Sequence, residues 1–151
     1  MVDGIEIREI AVGDIPEMIK IHHAIMKGNV SKTWIKDIER YLREKDVAGY
    51  AALKDGKLAG FIIGEIEGPS FGLEKSGWIT VVEVHPQFMG SGIGRVLVQR
   101  LFQYFREKGV QDIFTHVLWN AVDMLSFFIS AGLVRSEFIN LEMHWDKEAG
   151  A

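Results

Sequence analysis

Residues 84–95 read Val84-His85-Pro86-Gln87-Phe88-Met89-Gly90-Ser91-Gly92-Ile93-Gly94-Arg95, with three glycines in five positions. The β-branched run at residues 78–84 predicts a strand, and the apolar spacing of residues 94–108 predicts a helix. Glycine tolerates positive φ and lets a ligand approach the backbone closely. Free N–H groups at a helix start, with the positive end of the helix dipole behind them, suit a pyrophosphate. The segment therefore predicts a phosphate-binding turn between strand and helix.

Two common nucleotide-binding motifs do not fit this turn. The dinucleotide fingerprint Gly-x-Gly-x-x-Gly matches Gly90 and Gly92, but its third glycine would fall at Arg95. A Walker loop requires Gly-Lys-Ser/Thr, and no such triplet follows the glycines. A tight turn that binds nothing is the alternative interpretation, although one or two glycines would suffice for it.

The hydrophobic periodicity on either side of the turn predicts one domain, residues 1–151, with seven strands and four helices in the order β-α-α-β-β-β-α-β-α-β-β. Strands are predicted at residues 5–10, 47–53, 57–66, 78–84, 113–118, 133–138 and 139–145. Two helices are predicted to begin after the N-caps Asp14 and Ser31, and two more are predicted at residues 94–108 and 122–131. Asp55-Gly56 predicts a hairpin turn. The order predicts an α/β fold with a central mixed sheet and helices on both faces.

Composition excludes several classes of protein. The chain is 48% hydrophobic and 25% charged, which is typical of a globular domain, and it contains no cysteine. A disulfide scaffold, a thiolate zinc site and a cysteine nucleophile are therefore excluded. No apolar run approaches the roughly 20 residues of a membrane span, and the N-terminus predicts no signal peptide. With a net charge of −4, nucleic acid is not an expected partner. We expect a cytoplasmic protein that binds neither nucleic acid nor membrane.

The glycine turn also supports a family resemblance. Residues 86–94, followed by Val96-Leu97, resemble motif A of the GCN5-related N-acetyltransferase (GNAT) superfamily. Residues 127–133, Phe127-Phe128-Ile129-Ser130-Ala131-Gly132-Leu133, resemble its motif B. The resemblance implies a GNAT-like acyl-CoA N-acyltransferase fold with acetyl-CoA as the cosubstrate.

The resemblance also implies which residues hold acetyl-CoA. Backbone groups of Val82, Glu83 and Val84 would pair with the pantetheine arm. Backbone N–H groups would hold the phosphates at Met89, Gly90, Ser91, Gly92, Ile93, Gly94 and Arg95. Asn120 and Phe128 complete the implied cofactor contacts.

Four positions depart from the superfamily pattern. Met89 stands where Gln or Arg is preferred, and Trp78 stands where several members carry a catalytic Glu. Phe128 replaces a Tyr that protonates the departing thiolate. Ala121 replaces a frequent Asn, for which the adjacent Asn120 is a substitute or simply a helix cap. These departures concern the chemistry, so a CoA-binding regulatory or sensor domain is an alternative to an enzyme. A nucleotide-binding module unrelated to CoA is a third interpretation.

Few side chains are candidates for a general base. Glu83 is the first choice for the catalytic residue, because the resemblance places it beside the acetyl group; a solvated carboxylate is the alternative. His85 and His116 are weaker candidates, each expected in a surface or packing position. Glu65 and Glu67 share a strand face and would attract a cationic acceptor or remain solvated.

No metal site is predicted. His22 and His23 are adjacent on a helix and do not share a face, so they do not chelate. The tryptophans at 34, 119 and 145 are expected in the core or in a cleft wall.

The chain is interpreted as an N-acetyltransferase that transfers acetyl from acetyl-CoA to a primary amine, by direct transfer in a ternary complex. The expected acceptor is the amine of a small molecule or a peptide, and this amine must be neutral to attack the thioester. For a lysine-like amine with a pKa near 10.4, about one molecule in two thousand is neutral at pH 7. Such folds commonly pair through terminal strands or sheet edges, so a homodimer is among the expected assemblies.

Overall fold

The computed structural model describes residues 4–70 and 72–146. Its strands are β1 (Ile5–Glu9), β2 (Val47–Lys54), β3 (Lys57–Glu67), β4 (Ser76–Val84) and β5 (Ile113–Thr115). Its helices are α1 (Ile15–Met26), α2 (Lys32–Tyr41), α3 (Ile93–Glu107) and α4 (Val122–Ser130). Two short 3-10 turns lie at Val12–Asp14 and Pro86–Phe88. From β1 to α4, the predicted order of strands and α-helices is confirmed.

The five strands form one sheet in the order β1-β2-β3-β4-β5. Neighbours from β1 to β4 are antiparallel, whereas β5 runs parallel to β4. A parallel neighbour needs a crossover, and α3 supplies it between β4 and β5. The predicted mixed sheet is confirmed.

Hydrophobic cores cover both faces of the sheet. On one face, α3 packs through a fully buried stripe, because apolar residues spaced three and four apart share one side of a helix. That stripe consists of Leu97, Val98, Leu101 and Phe105, each 0% exposed. On the other face, α1 and α2 pack through Met18, Ile21 and Ile38 against Phe61 and Ile63. The two sides of β4 therefore face different helix layers.

The C-terminal segment differs from the sequence prediction. Residues 133–146 contain no strand, so the strands predicted at 133–138 and 139–145 are wrong. Strand β5 is also shorter than predicted and ends at Thr115. The apolar side chains that alternate along residues 139–145 are exposed: Ile139 75%, Leu141 88%, Met143 71% and Trp145 83%. A strand requires a neighbouring strand for its backbone hydrogen bonds, and among the described residues no strand pairs with this segment.

None of the described helices combines the length and hydropathy needed to cross a bilayer.

Candidate functional site

Strands β4 and β5 separate partway along the sheet. They pair only between residues 77–79 and 113–115, whereas β4 continues to Val84. The Thr115 hydroxyl donates to the Ile79 carbonyl at 3.0 Å, close to the last paired residues. Beyond this point the edge of β4 that faces β5 has no strand partner in the described chain. The result is an opening in the sheet, bounded on one side by the extended backbone of β4.

A β-bulge lies at the start of this opening. Val81 pairs with Ile63 and Ile79 pairs with Gly64, which leaves Thr80 as an extra residue in β4. A bulged strand bends and twists more strongly than a regular one. The bulge therefore accounts for the divergence of β4 from β5.

Backbone direction along the free part of β4 follows from one hydrogen bond. The N–H of His85 donates to the Ala59 carbonyl at 2.8 Å, so His85 directs its backbone toward β3. Directions alternate along an antiparallel strand. Glu83 therefore also faces β3 with its backbone, whereas the N–H and C=O groups of Val82 and Val84 face the opening. Of the three positions that the resemblance implied for pantetheine pairing, Val82 and Val84 present free backbone and Glu83 does not.

The glycine turn lies at the end of the opening. Gly90 and Gly92 have φ of 82° and 89°, and Gly92 is the N-cap of α3. The first N–H groups of a helix have no partner within it, so those of residues 93–95 are available to a ligand. The first turn of α3 contains no acidic residue. This end of α3 therefore suits an anion.

In the predicted phosphate-binding turn, here called the cradle, two N–H groups already donate hydrogen bonds within the turn. The N–H of Met89 donates to the Pro86 carbonyl at 3.3 Å, and that of Ser91 donates to the Phe88 carbonyl at 3.2 Å. The Ser91 hydroxyl also donates to Phe88. These bonds shape the turn, and the N–H groups at the start of α3 remain available.

Helix α4 packs beside the cradle. A Cβ on Gly94 would lie 3.0 Å from Cε1 of Phe127, so glycine lets α4 approach α3 here. Phe128 is 4% exposed and belongs to the core on the α3 face. The guanidinium of Arg95 donates to the Ser130 carbonyl at 2.9 Å. The Arg95 side chain thus joins the two helices.

On the opposite face of β4, Glu83 forms a close pair with His22 of α1. Nδ1 of His22 contacts both carboxylate oxygens of Glu83, lying 3.1 Å from Oε2 and closer to Oε1. The two side chains are 15% and 11% exposed. Burial raises the pKa of Glu83 above its ordinary value, and the contact with His22 acts in the opposite direction. Trp34 of α2 stacks on the imidazole with ring centroids 4.0 Å apart.

A shallow cleft of about 380 Å³ lies farther along β4, with Glu65 and Glu67 among its lining residues. Trp78 and His116 form a wall, with ring centroids 5.1 Å apart. Burial, followed by the charges of Glu67 and Glu44, raises the pKa of Glu65. The cleft therefore brings together the two strand carboxylates that the sequence placed on one face.

The Acetyltransferase (GNAT) family model matches residues 15–128. The chain belongs to this family. The match runs from the start of α1 to Phe128 in α4, and it includes the opening, the glycine turn and the Glu83–His22 pair.

Solved structures share the GNAT fold at low sequence identity. A transcriptional regulator from Bacillus halodurans C-125 is 20% identical, with a TM-score of 0.78 over 93% of this chain and 99% of that one. AAC(6')-Iy in complex with the bisubstrate analog CoA-S-monomethyl-acetylneamine is 15% identical, with a TM-score of 0.81 over 94% and 99%. An aminoglycoside acetyltransferase, meta-AAC0020, from an uncultured soil metagenomic sample in complex with sisomicin is 19% identical, with a TM-score of 0.78 over 95% and 98%. A comparison with curated proteins found no match.

Other predicted positions of this GNAT chain lie outside the opening. His85 caps the 3-10 turn by accepting from the N–H of Gln87 at 3.0 Å. Asn120 lies in an exposed turn and does not cap α4, since Ala121 is the N-cap and no side chain caps it. Trp119 and Trp145 are 91% and 83% exposed, so the prediction of core or cleft-wall positions is wrong for both.

The sequence interpretation missed His22. It lies on the apolar stripe of α1, and only the packing of α1 on the sheet brings it to Glu83, 61 residues away. The signal that the sequence did contain is a histidine among core-facing apolar residues, which is expected to find a polar partner. His23 points elsewhere, with Nδ1 2.6 Å from the Gly28 carbonyl. Over residues 4–70 and 72–146, no group of three or more acidic or histidine side chains is placed to hold a metal.

Proposed function

We propose that this GNAT protein is an acetyl-CoA-dependent N-acetyltransferase that acts on a primary amine by direct transfer in a ternary complex. The observation that carries the proposal is the opening between β4 and β5 with the helix N-terminus at its end. In this proposal, the backbone groups of Val82 and Val84 that face the opening pair with the amides of a pantetheine arm. The N–H groups of residues 93–95 lie where a pyrophosphate would follow.

Phosphate binding in this proposal depends on backbone. The exposed Met89 side chain carries no charge, and Arg95 is bonded to Ser130. Backbone N–H groups and the helix dipole remain, and these bind phosphate at many helix N-termini. Gly90, Gly92, Ile93 and Gly94 are the proposed contact positions, together with the backbone of Arg95. Met89, Ser91, Asn120 and Phe128 are retained as neighbours of the bound cosubstrate.

The chemistry requires the loss of a proton from the amine and attack on an already activated thioester. Glu83 lies on the α1 face of β4, beside the opening, and is the candidate catalytic carboxylate. Its burial raises its pKa, which makes the carboxylate a stronger proton acceptor than a solvated one. Alignment of the amine with the thioester supplies much of the remaining acceleration.

The acceptor is proposed to be the amine of a small molecule or a peptide. Such amines are cationic in solution, and the carboxylates of Glu65 and Glu67 would favour their approach. Two structural neighbours bind aminoglycosides or their analogues, so aminoglycosides belong in the panel of amines to be tested together with polyamines, peptides and amino acids.

A second copy of the chain is the proposed protein partner. The exposed apolar side chains of residues 139–145 alternate as in a strand, and pairing with another copy would add a neighbouring strand.

A CoA-binding sensor domain with little transfer activity is the second candidate. The observation in its favour is Phe128, which is buried in the core and offers no hydroxyl to the departing thiolate. This candidate retains the same opening and cradle.

Two measurements test the proposal. Acetyl-CoA at a hundred times its Kd stabilises the folded chain by about 2.7 kcal/mol, which raises the melting temperature by roughly 5–10 °C. NAD and ATP should shift it much less, and an equal shift with NAD would refute the assignment. Release of CoA thiol with the amine panel then separates the two candidates: binding without amine-dependent release favours the sensor domain.

A further inference from the structure

Hydrogen-bond chemistry indicates which member of the His22–Glu83 pair is the donor. An ionised carboxylate can only accept hydrogen bonds. Nδ1 of His22 contacts both oxygens of Glu83, so Nδ1 carries the hydrogen when Glu83 is ionised. A neutral imidazole with a hydrogen on Nδ1 has a lone pair on Nε2.

The imidazole is held on one face and at one edge. Trp34 stacks on the ring at 4.0 Å with planes 9° apart, and Glu83 holds the Nδ1 edge. Among the described residues, Nε2 has no hydrogen-bond partner, and the His22 side chain retains 15% exposure. Nε2 is therefore fixed in orientation and open to a small molecule.

The side chains that meet the pair from β3 and α2 are aromatic. From β3, Phe61 lies opposite Glu83 and is fully buried. From α2, the group that meets the imidazole is the Trp34 ring. Within the described chain, His22 is the only charged or titratable group that acts on the Glu83 carboxyl. A carboxylate with one partner in such surroundings binds that partner strongly.

We propose that His22 is the general base of the acetyl transfer and that Glu83 is the positioning residue that orients it. This inference rests on the proposed function and changes the role of Glu83 within it. Nε2 of His22 accepts one proton from the ammonium group of the acceptor. The neutral nitrogen then forms the C–N bond as the C–S bond of the thioester breaks. The leaving thiolate takes the second proton of that nitrogen, and the imidazolium returns its proton to water.

Imidazole chemistry suits this step. Histidine is the side chain whose ordinary pKa allows proton exchange between pH 5 and 8. A carboxylate on Nδ1 fixes the tautomer and stabilises the imidazolium that forms. The same arrangement gives Trp34 a role, because the stacked indole prevents the ring from rotating away from Glu83.

The first test needs no acceptor. Nitrogen-15 NMR of the full chain labelled at histidine, with His22 assigned by comparison with His22→Gln, reports which ring nitrogen carries the hydrogen. We expect the neutral form of the His22 imidazole to carry its hydrogen on Nδ1 and to leave Nε2 bare. A hydrogen on Nε2 with a bare Nδ1 would overturn the proposal.

The second test compares three variants at the acceptor identified by the amine panel. His22→Ala should lose about 10²–10⁴ in kcat, the usual contribution of positioned proton transfer, and added imidazole should restore at least tenfold. His23→Ala is the matched control, since His23 is the adjacent exposed histidine; it should keep the parental rate and gain nothing from imidazole. Glu83→Ala should lose activity that acetate does not restore.

The outcomes separate the two proposals. If Glu83→Ala is the more damaging change, acetate restores it, and His22→Ala stays within tenfold of the parent, then Glu83 is the base and this inference alone fails. If the unaltered chain transfers acetyl to no amine, the proposed function fails and His22 is no base. Circular dichroism and melting temperature of each variant establish that the loss of rate is not a loss of fold.

Discussion

Replacing Gly92 with valine should separate the phosphate cradle from the stability of the fold. Gly92 has φ of 89° at the N-terminus of α3, and Gly109 has φ of 76° just beyond its C-terminus. A side chain in this region of φ costs about 1–3 kcal/mol. For a chain of this size, that cost lowers the melting temperature by roughly 2–12 °C. Gly92→Val and Gly109→Val should therefore be destabilised to a similar extent.

Only one of the two changes should affect the binding of CoA. A side chain at Gly92 changes the direction of the backbone that presents the N–H groups of residues 93–95. A Cβ at Gly109 meets no atom within 4 Å, at the far end of the helix. We expect Gly92→Val to weaken CoA binding by more than tenfold, or about 1.4 kcal/mol, and Gly109→Val to bind like the parent.

Isothermal titration with CoA, together with melting curves, measures both quantities on the same samples. The reasoning is refuted if Gly92→Val melts like Gly109→Val and binds CoA within threefold of the parent. The phosphates would then lie elsewhere on the molecule.

Four further outcomes can be measured. Met89→Arg places a cation beside the cradle at a side chain that is 58% exposed and should tighten CoA binding by about two- to fivefold in a titration. Phe128→Tyr buries a hydroxyl and should lower the free energy of unfolding by about 1–3 kcal/mol. It should change the rate of thiol release at pH 8 by less than tenfold, because a thiolate can leave without a general acid. A hundredfold gain in rate would favour the sensor domain. The guanidinium of Arg8 is bonded to both oxygens of Asp14 at 2.8 Å and lowers the pKa of that carboxyl. The ion pair therefore stabilises the fold above the ordinary carboxyl pKa, and this stabilisation is lost as pH falls through the lowered pKa of Asp14. In urea unfolding, Asp14→Asn should reduce the free energy of unfolding by about 1 kcal/mol at pH 7 and by little at pH 2. Light scattering should find a dimer that Leu141→Lys converts to a monomer, whereas a monomeric parent would rule out pairing through residues 133–146.

The sequence was sufficient where local patterns determine structure. The glycines after a β-branched run placed the turn and the start of α3 to within one residue, and Asp55-Gly56 placed the β2–β3 hairpin. The family followed from the same segment. These features depend on backbone preferences and on periodicity, which neighbouring residues encode.

Features that depend on distant contacts could not be predicted in the same way. The alternation of residues 139–145 predicts a strand, but it does not say whether a neighbouring edge exists within the same chain. His22 appeared as one member of an apolar stripe, and its relation to Glu83 required the position of α1 on the sheet. The extra residue at Thr80 left no signal, because a bulge is defined only by the pairing of two strands.

Because Thr80 is an extra residue in β4, a deletion at this one position would affect the opening. Removing Thr80 would leave every other pairing between β3 and β4 unchanged. Ile79 would stay opposite Gly64, and Val81, now directly after it, would stay opposite Ile63. It would remove the bend, however, and β4 would then diverge less from the direction of β5. Substitutions at this position alter a side chain, whereas a single deletion would alter the opening itself. Among related sequences, the number of residues in this strand should therefore vary less than their identities.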